Sequence, residues 1–158
     1  MRNKRKLLIE QLDHKLRPYT ESREVLIPER GWTHTIRTTL NMTMAQLGNK
    51  LNITRQGVKR IEDSEANGTI TLNLLKDVAD AMDLKLVYAL VPNKGTINDL
   101  IQTKAEKLAK NIVLRTNQNM KLEDQGIGDE KITKTINELA DENQRHIRKS
   151  FWNQHSVM

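Results

Sequence analysis

The chain has no cysteine among its 158 residues, which excludes disulfides, thiolate metal sites, zinc fingers and a cysteine nucleophile. Its five aromatics, Tyr19, Trp32, Tyr88, Phe151 and Trp152, are too few and too dispersed for the base-stacking platform of single-strand binders. No apolar run approaches the roughly 20 residues that span a bilayer. The basic start lacks the apolar core and cleavage site of a signal peptide, so the expectation is a cytoplasmic protein without membrane contact. His14, His34, His146 and His155 stand alone, with no paired spacing of metal ligands. There is no glycine-rich phosphate loop and no nucleophile elbow. The sequence therefore predicts no enzyme, no metal and no cofactor.

The net charge is +6, and it is unevenly spread. From Arg30 to Arg60 there is no Asp or Glu, while Arg30, Arg37, Lys50, Arg55, Lys59 and Arg60 all fall in that window. Residues 61–92 hold Glu62, Asp63, Glu65, Asp77, Asp80 and Asp83 against only Lys76 and Lys85. A local basic face of this kind suits an anionic polymer, because each neutralised phosphate releases counterions.

Within that window, residues 43–62 are spaced like a helix-turn-helix, with Ala45, Leu47, Leu51, Ile53, Val58 and Ile61 as the apolar positions. Thr43 caps a helix through Leu51, Asn52 and Ile53 make the turn, and Thr54 caps a second helix running to about Ser64. In such a motif the second helix enters the major groove by its first turns. Arg55 can pair with guanine O6 and N7, Gln56 with adenine N6 and N7, and Lys59 lies one turn further along that face. Thr43, Gln46, Thr54 and Arg60 are assigned to phosphates, which fix position and not sequence. Gly57 is costly inside a helix, which points to close approach to the preceding helix or to DNA. The rival reading of Arg55 and Gln56 is a solvated face in a motif turned over to protein contacts.

The remaining elements follow from periodicity. Leu8, Leu12 and Leu16, with Ile9, predict a basic amphipathic helix ending before Pro18, which either packs or reaches along phosphates. Residues 18–30 read as a connector. Trp32, Ile36 and Leu40 mark the first helix of the reading domain, with Trp32 in the core. Thr71 caps a helix whose stripe is Leu72, Leu75, Val78, Ala79 and Met82. The expectation is five short helices around one core.

Leu84 to Val91 reads as a strand stopped by Pro92. Lacking a partner in its own chain, it is expected to pair with its copy across a two-fold axis, the other reading being a continuation of the preceding helix. Beyond it, Ile97, Leu100, Ile101, Leu108 and Ile112, then Ile132, Ile136, Leu139, Ala140, Ile147 and Phe151, predict a helical hairpin, with Asp129 capping its second helix. Phe151 and Trp152 are either anchored on the chain's own core or offered to a partner. The domain scheme is thus 1–30, 31–83, 84–92 and 93–158.

Residues 31–92, above all Gly31-Trp32, the SEANGTIT loop (Ser64 to Thr71) and LVYALVP (Leu86 to Pro92), resemble the helix-turn-helix proteins called mobile mystery protein A, a branch of the phage-repressor-like (XRE-type) regulators. The similarity extends through Leu122 to Gln125 and the Trp near the end. It implies a mainly α, phage-repressor-like domain that binds a palindromic operator in double-stranded DNA. It also implies a partner, since genes of this family typically lie beside one for a Fic-domain protein, as an antitoxin lies beside a toxin that transfers AMP. In antitoxins of other Fic pairs, a helix bearing Ser/Thr-x-x-x-Glu-Gly/Asn supplies an inhibitory glutamate. Thr20 to Glu24 matches its first five positions, making Glu24 the candidate, but Val25 follows where Gly or Asn is expected. Two functions result: an autorepressing DNA-binding antitoxin, or a protein-binding antitoxin in which DNA binding is secondary.

Overall fold

The computed structural model describes residues 2–122 and 128–153. Glu123 to Gln125 and His155, named above, lie outside them. The chain is mainly helical, and among the described residues no helix is long and apolar enough to cross a membrane. The helices are α1 (Arg2–Thr20), α2 (Trp32–Thr39), α3 (Met44–Leu51), α4 (Arg55–Ala66), α5 (Leu72–Ala81), α6 (Ile97–Leu122) and α7 (Asp129–Arg145), with 3-10 turns at Glu21–Glu24 and Lys149–Trp152. Contacts divide the chain into one unit of residues 24–89 and another built from residues 1–23 and 90–158.

The 24–89 unit holds α2 to α5, four helices where five were expected. Leu84 to Pro92, which follows α5, forms neither helix nor ladder. A helical continuation is therefore ruled out: α5 stops at Ala81 and Asp83 turns into the left-handed region. A strand bonded within the chain is also absent among the described residues. Leu47 and Val58 are wholly buried, with Val78, Ile61 and Met82 beside them, and Ile36, Met42, Met44, Leu51, Ile70 and Leu74 close around this centre. Each fully buried side chain of this size contributes about 1.5–3 kcal/mol by leaving water.

Several expected apolar positions are not in it, Leu40, Ala45 and Ile53 being exposed along with Leu72 and Trp32. Leu72 is 50% exposed because it lies on the outer side of the first turn of α5, and Trp32 is 44% exposed. The Trp32 ring sits instead on the rim of an apolar groove of about 270 Å³, lined also by Ile36, Leu75, Met82, Leu84 and Val87.

The other unit joins α1 to the α6–α7 pair. Pro18 does not end α1; it falls in the last turn, where its missing N–H removes only one terminal bond. The covered side of α1 is Ile9, Asp13, Leu16 and Thr20, so of the expected apolar positions Ile9 and Leu16 are covered while Leu8 and Leu12 stay exposed. Asp13 is at the centre of that side because it caps α6: its carboxylate accepts from Ile97 N at 2.7 Å and Asn98 N at 3.1 Å. Thr96 and Asp99 add a reciprocal pair, Asp99 N to Thr96 Oγ1 at 3.1 Å and Thr96 N to Asp99 Oδ2 at 2.9 Å. The first three N–H groups of α6 are thereby satisfied.

Along α6 the buried residues Ile101, Ala105, Ala109 and Val113 recur every four positions and face Ile132 and Ala140 of α7. Ile112, expected in that stripe, is 46% exposed. Helix α7 starts at Gly128 as N-cap, so Asp129 does not cap it but lies in the first turn with Glu130, where negative charge is favoured. It ends at Arg145, leaving Ile147 and Phe151 beyond it. Phe151 and Trp152 meet edge to face at 4.9 Å, and Lys104 Nζ of α6 lies 5.7 Å from the centre of the Trp152 ring, which remains 49% exposed.

Candidate nucleic-acid interface

Helices α3 and α4 are joined by Asn52, Ile53 and Thr54, and each begins with a threonine that the sequence marks as a cap. Thr43 Oγ1 accepts from Gln46 N at 3.1 Å, while Gln46 Oε1 accepts from Thr43 N at 2.9 Å. Gln46 therefore holds its own helix start with its oxygen and keeps its amide N–H₂ for another partner. Thr54 Oγ1 accepts from Gly57 N at 3.0 Å. Both hydroxyls accept these bonds and retain their own O–H to donate.

The turn depends on a close approach that the sequence reading missed. Asn52 adopts φ 57°, and Ile53 N donates to Gly48 O at 2.9 Å. A Cβ at Gly48 would lie 2.7 Å from the Ile53 carbonyl oxygen, a clash with backbone. Gly57 is a milder case: its Cβ would meet Ile53 Cδ1 at 3.2 Å. Its missing side chain makes room for the turn residue Ile53, not for the body of the preceding helix.

The first turns of α4 present Arg55, Gln56, Lys59 and Arg60 to solvent, all exposed. Among the described residues Arg55, Gln56 and Arg60 have no side-chain bond, and Lys59 reaches Asp63 at 3.4 Å in an exposed pair. Such a pair is worth little and exchanges readily. On α3, exposed Asn49 and Lys50 line with Gln46 a shallow depression that also takes in Leu40, Asn41 and Met42. The structure thus brings Arg55, Gln56, Lys59 and Arg60 onto the open side of one helix, and Thr43, Gln46 and Thr54 to two helix starts.

Arg37 does not belong to this surface. It is 6% exposed, and Glu62 opposite it 4%. Its Nε and Nη2 donate to the Glu62 carboxylate, Nη2 at 3.2 Å, and Nη1 donates to Met42 O at 2.8 Å. His34 Nδ1 lies 3.0 Å from Glu62 Oε2, which assigns the proton to that nitrogen. Burial alone would raise the Glu62 carboxyl, but the hydrogen bonds from Arg37 and His34 and their attraction outweigh it and hold the group below its ordinary range. This network ties α2 to α4 and fixes the orientation of the exposed residues. Arg37 is charge in the acid-free window without being charge at its surface.

Glu24 ends the 3-10 turn after α1 and is exposed. The Thr20 to Glu24 stretch straddles the end of α1, with the Thr20 hydroxyl donating to Arg17 O at 2.8 Å. It is not one continuous helix. Among the described residues no cluster of His, Asp and Glu could hold a metal ion.

Compared with family models, curated proteins and solved structures, the chain has no match.

Proposed function

We propose that this chain is a sequence-specific reader of double-stranded DNA, acting as a homodimeric repressor of the phage-repressor-like kind, with α3 and α4 as its helix-turn-helix. The observation that carries the reading is the exposed, unpaired set Arg55, Gln56 and Arg60 at the front of a helix whose orientation is fixed from behind by a buried ion pair. Preorganised donors at a helix start are what major-groove readout requires. Arg55 and Gln56 read base edges with Lys59 beside them, while Thr43, Gln46, Thr54 and Arg60 hold phosphates. The Leu84 to Val91 segment supplies the two-fold contact, since beyond Leu84, whose N–H donates to Ala79 O, its backbone is unpaired in a single chain, and half-sites then lie about one helical turn apart.

The resemblance adds autoregulation and a Fic-domain partner to this reading. Neutralising that partner directly is the second function, supported by exposed Glu24 and by the uncovered Leu8 and Leu12 of α1. The decisive experiment is binding of the full chain to its own upstream DNA at two salt concentrations, with an Arg55→Ala/Gln56→Ala variant alongside. Selective, salt-sensitive binding that the folded variant loses is expected. Absence of selective binding by the folded wild-type protein, alone and with its partner, would overturn the reading.

A further inference from the structure

Two segments of the 24–89 unit carry exposed apolar side chains on backbone that bonds to no other segment. Val25, Leu26 and Ile27 are 57, 89 and 72% exposed, and Val87 and Tyr88 are 65 and 68% exposed. Among the described residues, neither Val25 to Ile27 nor Lys85 to Ala89 lies in a helix or ladder, and no backbone hydrogen bond joins either to another segment. β-branched and aromatic residues on unpaired backbone make an open strand edge.

The charges around the two segments are opposite. Glu24 and Glu29 flank the first, Lys85 opens the second, and all three are exposed. An antiparallel alignment that places Glu29 opposite Lys85 also places Pro28 by Leu86, Ile27 by Val87, Leu26 by Tyr88 and Val25 by Ala89. Within these five pairs every apolar residue meets an apolar residue and the single charged pair has opposite signs, while Glu24 falls opposite Leu90 just beyond them. A shift of one position sets Glu29 against a leucine in either direction. Pro28 ends the segment, where an outer strand tolerates a residue without N–H. A strand has two edges, so pairing Lys85 to Ala89 with its own copy leaves one edge for this addition.

We propose that Val25 to Ile27 of a second copy adds as an outer strand to Lys85 to Ala89, and reciprocally, closing the dimer by exchanged strands. The proposal rests on the dimer reading above. The second copy is the occupant because both segments stand unpaired within one chain, and because a two-fold exchange covers both edges in both copies.

The absence of native cysteine makes the test clean. The full chain carrying Ile27→Cys and Val87→Cys is oxidised as a mixture of nitrogen-14 and nitrogen-15 protein, and peptides joining positions 27 and 87 are mapped. The wild-type chain is sedimented in parallel. Disulfides linking light to heavy chains are expected, with each single variant failing to form that peptide. Glu29→Lys should weaken the dimer about tenfold, and Lys85→Glu added to it should restore it. A wild-type dimer with no 27–87 disulfide, or one confined within single chains, overturns the exchange and leaves the dimer reading standing. So does a dimer indifferent to Glu29→Lys. A wild-type chain that sediments as a monomer overturns both.

Discussion

The carboxylate of Glu65, in the last turn of α4, caps the first turn of α2, accepting from Trp32 N at 2.7 Å and Thr33 N at 3.1 Å. Gly31 precedes those residues at φ 86°, and a Cβ there would lie 2.8 Å from Glu65 Cδ. The cap, the positive φ and the missing side chain are one device. Glu65→Ala should lower stability in urea melts by about 1–2 kcal/mol, since two helix-start donors lose a charged acceptor. Gly31→Ala should cost about 1 kcal/mol or more, from its backbone alone. Unchanged midpoints for both would refute the arrangement.

Glu62 is expected to make stability acid-sensitive. Its folded pKa is depressed, so its contribution is complete above the ordinary carboxylate value of about 4.3 and is lost as pH falls through the lower folded value. Glu62→Gln should flatten that part of the stability profile. It also leaves Arg37 buried without its counter-charge, at a cost of about 3–5 kcal/mol at neutral pH. Replacing Arg37 by Met in the same chain should recover much of that loss. A Glu62→Gln protein as stable as wild type at pH 7 would show the pair to be dispensable.

The two glycines beside the turn should differ in rank. Gly48→Ala drives a methyl into the Ile53 carbonyl and should cost about 1–3 kcal/mol, whereas Gly57→Ala meets only a movable side chain. Thermal melts of the two variants decide this, and the reverse order would contradict the described turn.

DNA binding should separate by residue. Arg55→Ala is expected to lose about 1–3 kcal/mol at its preferred base and to relax the preference there. Arg60→Ala should weaken all sequences alike and flatten the salt slope by about 0.9. Asp63→Ala should leave stability within about 0.5 kcal/mol while tightening DNA binding, because it frees Lys59 and removes a negative charge. Competition titrations across salt measure all three. Weaker binding by Asp63→Ala would show that the carboxylate positions Lys59.

The local features of the fold were legible because their causes lie within a few residues. Thr43, Thr54 and Thr71 cap helices from three positions away, and α3, α4 and α5 begin where those threonines place them. What escaped was bonding across the chain: Arg37 with Glu62, Glu65 with Trp32 N, and Asp13 with Ile97 N lie 25, 33 and 84 residues apart. A charged residue reads as solvent-facing by default, so Arg37 counted toward the basic surface that it does not join. A tryptophan reads as core, yet Trp32 lines a rim. Leu84 to Val91 carries strand-forming residues, but residue type alone supplies no partner, and among the described residues the segment forms no ladder. The candidate reading residues are surface positions, legible through type and spacing alone.

The carboxylate of Asp13 waits for N–H groups that are polymerised 84 residues later. At the roughly 5–20 residues per second of translation, several seconds pass in which α1 has emerged and has nothing to cap. In that interval residues 24–89, which cluster as a compact unit of their own, can already be synthesised. Synthesis and seating are thus separated for α1: the bonds of Asp13 to the start of α6 can form only after Ile97 and Asn98 have followed it.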